Sequence, residues 1–310
     1  MKIPLLHSLN PFSRIIFSIL LIIICFFSIF MIGLLVALPL FDLSLTETMT
    51  MLSDFTSPKA ISLLKYFQVV QEFGLFIIPP LLAALFFAVK PFHFLKLNNP
   101  SRWQSWILTI IIMTSTLPLI NILIDLNEAM QLPEWLSGIE SWMQETETKA
   151  MDLTEAFLSI DSWGEFIFNI VMIAMLPSIG EELLFRGLLQ RLFNDWFKNI
   201  HFAIILAGFL FGAMHLQFFG ILPRMVLGVL FGYLFYWSGS LWIPIFAHFL
   251  NNGVAVTISF MERQGWIVTR FQDFGYSTSL FLIFASIIIS ALALYVFWYI
   301  TSSRAKQNTF

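Results

Sequence analysis

The sequence predicts an all-α membrane protein, a polytopic helix bundle with about eight transmembrane helices. Three observations predict it. Of the 310 residues, 58% are hydrophobic and only 11% are charged, against roughly 25% charged residues in soluble domains. Mean hydropathy is +0.85. Runs of about 20 mostly apolar residues recur, the length a helix needs to cross a hydrocarbon core of roughly 30 Å.

The first apolar run, residues 15–40, follows Lys2 and Arg14. It is too long for the apolar core of a signal peptide and lacks a convincing cleavage site, so a retained span is expected. Further spans are expected over residues 67–89, 106–124, 166–189, 202–216, 221–237, 241–260 and 280–300. The fifth and sixth are short and meet at a tight turn with Gly220 and Pro223, which points to one of them being tilted or partly re-entrant. Between the third and fourth lies an acidic stretch, residues 125–163. There Trp135, Leu136, Ile139, Trp142 and Met143 recur at helical spacing beside Glu140, Glu145 and Glu147. That pattern fits a helix lying on the membrane surface and equally an extramembrane helix packed on the bundle.

Three regions follow: residues 1–163 with three spans and the acidic segment, a core over 164–262, and a last span with a tail over 263–310. Basic residues orient the chain, because cytoplasmic loops carry the Lys/Arg excess. With the N-terminus inside, the inner segments hold Lys2, Arg14, Lys90, Lys96, Arg102, Arg191, Lys198, Arg304 and Lys306. The outer ones hold Lys59, Lys65, Lys149, Arg263 and Arg270, with Arg224 near the outer end of the sixth span. Both termini are therefore expected in the cytoplasm, in a plasma (inner) membrane. The net charge of −3 gives no sign of a nucleic-acid partner. Cys25 is the sole cysteine, which excludes an internal disulfide, a CxxC redox motif and cysteine-ligated zinc.

Chemistry-bearing residues concentrate late in the chain. Glu181, Glu182 and Arg186 lie in the fourth span, Phe211 and His215 in the fifth, His248 and Asn252 in the seventh. Ionisable groups at membrane depth are expensive and face a protein interior or a wet cavity. Pro177 and Gly180 precede the acid pair and are expected to kink the span and free backbone groups. Glu182 and Arg186 are four residues apart in the favourable order for an ion pair on one helix face. Glu181 is rotated from Glu182 by roughly 100° and is left for chemistry. His248 and Asn252 share a face, whereas Asn251 turns away; Phe211 shares a face with His215 and is placed to shield it. The bland alternative, helix-to-helix hydrogen bonding, accounts for a single intramembrane histidine, but three neighbouring spans each offer a polar group.

The set suits amide hydrolysis. Glu181 is placed to take a proton from water that His215 holds or shares, and His248 with Asn252 to donate hydrogen bonds to the developing oxyanion. A second chemistry stays open, since two histidines and a glutamate are also a catalytic zinc set; Glu181, His215 and His248 would be the ligands. The helical H-E-x-x-H arrangement is absent, and no cofactor is assigned.

At these residues the sequence resembles the CAAX prenyl protease and bacteriocin-processing family (CPBP, also called Abi), whose members are multi-span intramembrane proteases. That family is marked by E-E-x-x-x-R, F-x-x-x-H and H-x-x-x-N/B motifs on successive helices, and all three stand here in order. The resemblance covers about a third of the chain. It implies a bundle of about eight spans with a cavity open to the cytosol, water activation by Glu181 and His215, and an oxyanion site at His248 and Asn252. It also implies a membrane-associated peptide or lipidated protein as substrate, with metal use argued both ways for its members. Other functions open to these residues are a non-proteolytic immunity factor or scaffold of the same fold, and a proton-coupled transporter.

Overall fold

The computed structural model describes residues 5–6, 8–130, 132–269 and 274–305. Among these, all regular structure is helical. Helix α1 spans Pro11–Phe41, with Asn10 accepting from the Ser13 amide at 2.8 Å and proline in the first turn, a preorganised helix start. It presents Ile16, Ile24, Phe27, Ile32 and Leu35 outward, each more than 40% exposed, as a lipid-facing helix does. A short helix α2 (Leu45–Met51), with a Ser44/Glu47 capping box, leads to α3 (Pro58–Phe87). One turn of π-helix interrupts α3 at Glu72–Ile77, just before Pro79 and Pro80.

After the short α4 (Pro91–Phe94), the third predicted span is a pair, α5 (Trp103–Ser115) and α6 (Leu117–Glu128), bent by 42°. Pro118 lies in the first turn of α6, and a proline cannot continue the ladder of α5. The acidic segment forms α7 (Ser137–Leu158). Its Trp142 ring lies 5.1 Å from that of Phe218, Glu147 accepts from the Phe219 amide at 3.2 Å, and Phe157 and Leu158 are buried. The helix is thus docked on the bundle, while Trp135 and Ile139 near its start stay exposed.

Helix α8 runs from Trp163 to Phe197, entered through a Ser162/Glu165 capping box. It is followed by α9 (Ile200–Ala213), α10 (Ile221–Ser238), α11 (Trp242–Arg263) and α12 (Leu280–Ala305). Among the described residues, six helices are long and apolar enough to cross a membrane, seven if the bent pair counts as one. The fifth predicted span is the one that differs. As α9 it has 14 residues, roughly 21 Å, and it ends in a turn where Leu216 adopts a left-handed backbone. The pair α9–α10 packs very closely: a Cβ on Gly228 would lie 2.9 Å from the Gly208 Cα. Small residues allow such approach where apolar surface gives no drive between helices in lipid.

One end of the bundle gathers the predicted inner segments. Leu6 donates to the Phe86 carbonyl at 3.1 Å, Asn99 to that of Gly239 at 2.8 Å, and Arg102 to that of Ile300 at 3.0 Å. At the other end, Arg263 pairs with Asp161 at 2.7 Å. Lys2, Arg270 and Lys306 lie outside the described residues.

Candidate active site

One proline and two π turns shape the stretch of α8 that carries the acids. π-helix occupies Ile170–Met175 and Leu183–Leu189, on either side of Pro177, Gly180, Glu181 and Glu182. Such turns absorb a residue that the regular ladder cannot hold, and they recur at functional sites. The helix continues through Pro177, with a π turn on either side. Pro177 supplies no N–H towards the carbonyl four residues earlier, that of Ile173. Asn252 of α11 donates to that oxygen from Nδ2 at 3.2 Å. The polar asparagine and the proline are two halves of one arrangement.

Glu182 is fully buried, as is Arg186. Its Oε1 accepts from Arg186 Nη1 at 2.6 Å and from His248 Nδ1 at 3.0 Å. The guanidinium also donates through Nη2 to the Gly228 carbonyl at 2.8 Å, and it lies 4.7 Å from the Phe211 ring centroid and 5.4 Å from that of Phe231. Cation and carboxylate are thus paired, hydrogen-bonded and boxed by aromatic faces, the conditions a buried charge needs. The close approach at Gly208 and Gly228 is what brings that carbonyl within reach.

The hydrogen bonds set the Nδ1 roles of both histidines. His248 Nδ1 donates to Glu182, and Asn252 Nδ2, whose amide donates, lies 3.2 Å from Nε2. His215 Nδ1 donates to the Phe211 carbonyl at 2.9 Å. Phe211 stands between the two imidazoles, with centroids 5.3 Å from His215 and 5.6 Å from His248. Asn251 turns aside to donate to Asn252 Oδ1 at 3.1 Å. The three motifs therefore meet: Glu182 joins Arg186 to His248, and Phe211 touches both Arg186 and His215.

Glu181 is 8% exposed, its buried Oε2 has no hydrogen-bond partner among the described residues, and His248, Glu182 and Arg186 lie within its electrostatic surroundings. Arg224, in the first turn of α10, donates to Gln217 Oε1 at 2.5 Å. Among the described residues, no three His, Cys, Asp or Glu side chains gather as a metal would require, and both ring nitrogens of His248 are engaged. The arrangement does not fit Glu181, His215 and His248 as a ready zinc set.

Sequence reasoning passed over Glu72, which is 2% exposed and whose Oε2 would lie 3.2 Å from a Cβ on Gly180. A lone acid inside the second apolar run was the signal that could have found it. The carbonyls of Ile173 and Gly228 had no such signal.

Residues 163–254 match the family model described as type II CAAX prenyl endopeptidase Rce1-like. A protein of Bacillus subtilis (strain 168), the uncharacterized protein YpbD, is 31% identical over 90 residues, 28% of this chain and 43% of that protein. The match thus spans less than half of that relative's length. No solved structure matches the chain. The segment 163–254, which holds all three motifs and every contact among them, is thus similar to the type II CAAX prenyl endopeptidase Rce1-like family.

Proposed function

We propose that the protein is an intramembrane endopeptidase that hydrolyses a peptide bond of a membrane-associated or lipidated protein or peptide. One observation carries the reading: of two adjacent buried acids, Glu182 is committed through Oε1 to Arg186 and His248, whereas the buried Oε2 of Glu181 has no hydrogen-bond partner among the described residues. A buried acid with an unengaged carboxylate oxygen has what a general base for water requires.

In this reading a water lies between the Glu181 carboxylate and His215 Nε2. Glu181 takes one proton as the water oxygen adds to the scissile carbonyl. The carbonyl π electrons move onto oxygen, and Asn252 turns the N–H of its long contact with His248 Nε2 towards that oxyanion. Collapse re-forms the carbonyl, breaks the C–N bond, and returns the proton from Glu181 to the leaving amine. His248, held at Nδ1 by Glu182, sets the position from which Asn252 acts. The substrate approaches from the cytoplasmic side, and both termini lie in the cytoplasm.

The test is Glu181→Gln, which removes the base and little volume. Purified protein in detergent, given a farnesylated peptide with a free C-terminus, should lose cleavage by at least about 100-fold with its thermal midpoint unchanged. Full cleavage by that variant defeats the assignment of the base. Membrane proteomes of cells making wild type or Glu181→Gln would identify substrates as termini that appear only with wild type.

A further inference from the structure

The acidic segment, residues 125–163, lies outside the stretch that carries the family match, yet it grips the turn that follows His215. Asn127, in the last turn of α6 and only 4% exposed, ties the start of that turn to the start of α10. Its Nδ2 donates to the Phe218 carbonyl at 3.0 Å, and its Oδ1 accepts from the Leu222 amide at 2.7 Å. From α7, Glu147 accepts from the Phe219 amide at 3.2 Å, and Trp142 packs on the Phe218 ring with centroids 5.1 Å apart. Arg224 of α10 donates to Gln217 and closes the loop on itself.

The turn needs that support. Helix α9 ends at Ala213, so His215 stands beyond its regular ladder. The His215 amide reaches the Gly212 carbonyl at 3.4 Å, a long bond, and Leu216 beside it takes a left-handed backbone with φ of 53°. A residue with a side chain adopts that conformation at a cost, and it persists only where the surroundings over-determine it. The imidazole bonds through Nδ1 to the Phe211 carbonyl of its own helix, which does not fix where the end of that helix sits. We propose that Asn127 and Glu147 are positioning residues of the site: they strap the turn over residues 216–222 and so hold the His215 imidazole where it shares the reacting water. This inference rests on His215 acting on that water. It gives the acidic segment a task in catalysis, and one that does not use its charge, because a neutral acceptor also satisfies the Phe219 N–H.

Nuclear magnetic resonance of the full-length protein in detergent, with nitrogen-15 in its histidine rings, tests the strap without relying on activity. The His215 signals, assigned by their loss in His215→Gln, should be single and narrow in wild type and broadened or split in Glu147→Leu and Asn127→Ala. The His248 signals should stay in place, since Glu182 holds that ring from α8. Asn127→Ala orphans two backbone groups and is the variant at risk of not folding; Glu147 is half-buried, so Glu147→Leu then carries the test. Unchanged His215 signals in Glu147→Leu overturn the proposal. So do His248 signals that move as far as those of His215, the mark of a bundle loosened as a whole. Kinetics with the farnesylated peptide test the use of the strap. Glu147→Leu should lower kcat roughly 10-fold or more with KM unchanged, because His215 acts on the water and not on the peptide. Glu147→Gln, which still accepts from the Phe219 amide, should recover most of that loss. Wild-type kcat in Glu147→Leu, or no recovery in Glu147→Gln, overturns the proposal. If wild type itself cleaves nothing, the protease reading fails, while the spectra still decide whether the strap holds His215.

Discussion

Asn252 donates its side-chain amide to the carbonyl oxygen of Ile173, 3.2 Å away, the acceptor that lies four residues before Pro177. The contact ties α11 to α8 at the level of the acids. It also fixes the amide orientation, because the oxygen of Ile173 can only accept. Asn252→Ala should lower stability by about 1–3 kcal/mol, the cost of an orphaned buried acceptor. Pro177→Ala restores an N–H to α8, so the same Asn252→Ala change should cost less in that background. Equal losses in thermal unfolding of both backgrounds would separate the proline from the asparagine.

The pair Glu182–Arg186 is wholly buried, and its energetics are asymmetric. Removing one partner leaves a charge without compensation and costs about 3–5 kcal/mol, whereas an apolar replacement of both is often tolerated. Glu182→Ala should therefore collapse yield and thermal midpoint in detergent. The double variant Glu182→Gln/Arg186→Met should fold better than Glu182→Ala, yet remain inactive because His248 loses its anionic anchor. A well-folded, active Glu182→Ala protein would show that the pair is dispensable.

Metal content separates the two chemistries that the histidines allow. Purified protein is expected to carry no stoichiometric zinc, and cleavage should survive prolonged chelation. Elemental analysis finding one zinc, lost together with activity and regained on adding zinc, would move Glu181, His215 and His248 into the ligand role. His248 would then have to release Asn252.

Topology reporters address orientation. A reporter fused after Lys306 should read as cytoplasmic, and one inserted near Glu147 as external. The described contacts Leu6–Phe86 and Arg102–Ile300 set the two ends of the chain at one end of the bundle, so reporters at the two termini should agree. Opposite readings at the termini would mean that α9 does not act as a crossing.

Much of the site was legible because its residues break the pattern of their surroundings. Glu181, Glu182, Arg186, His215, His248 and Asn252 are polar points in apolar runs, and the cost of placing them there forces them inward. Spacing of four residues foretold the Glu182–Arg186 pair, since that is a property of one helix. The second ligand of Glu182 was not legible. His248 lies 66 residues away, and only the packing of α11 on α8 decides that its Nδ1 faces this carboxylate. Glu72 gave a signal as a lone acid in an apolar run, but its place against Gly180 of another helix is set by packing alone.

By itself the sequence determined the environment and the helices: composition requires a lipid-facing bundle, since unpaired backbone groups are not tolerated in hydrocarbon, and run lengths place its spans, though the helix expected from residue 67 begins at Pro58 and the one expected to end at 189 runs on to Phe197. Span ends and the short α9 were decided by capping residues and turns, as at Ser57 and Leu216. The tertiary structure alone decided what Pro177 does. Read locally it is a break; in the fold, π turns absorb it and Asn252 satisfies its carbonyl, because a buried acceptor takes the nearest donor whichever helix supplies it.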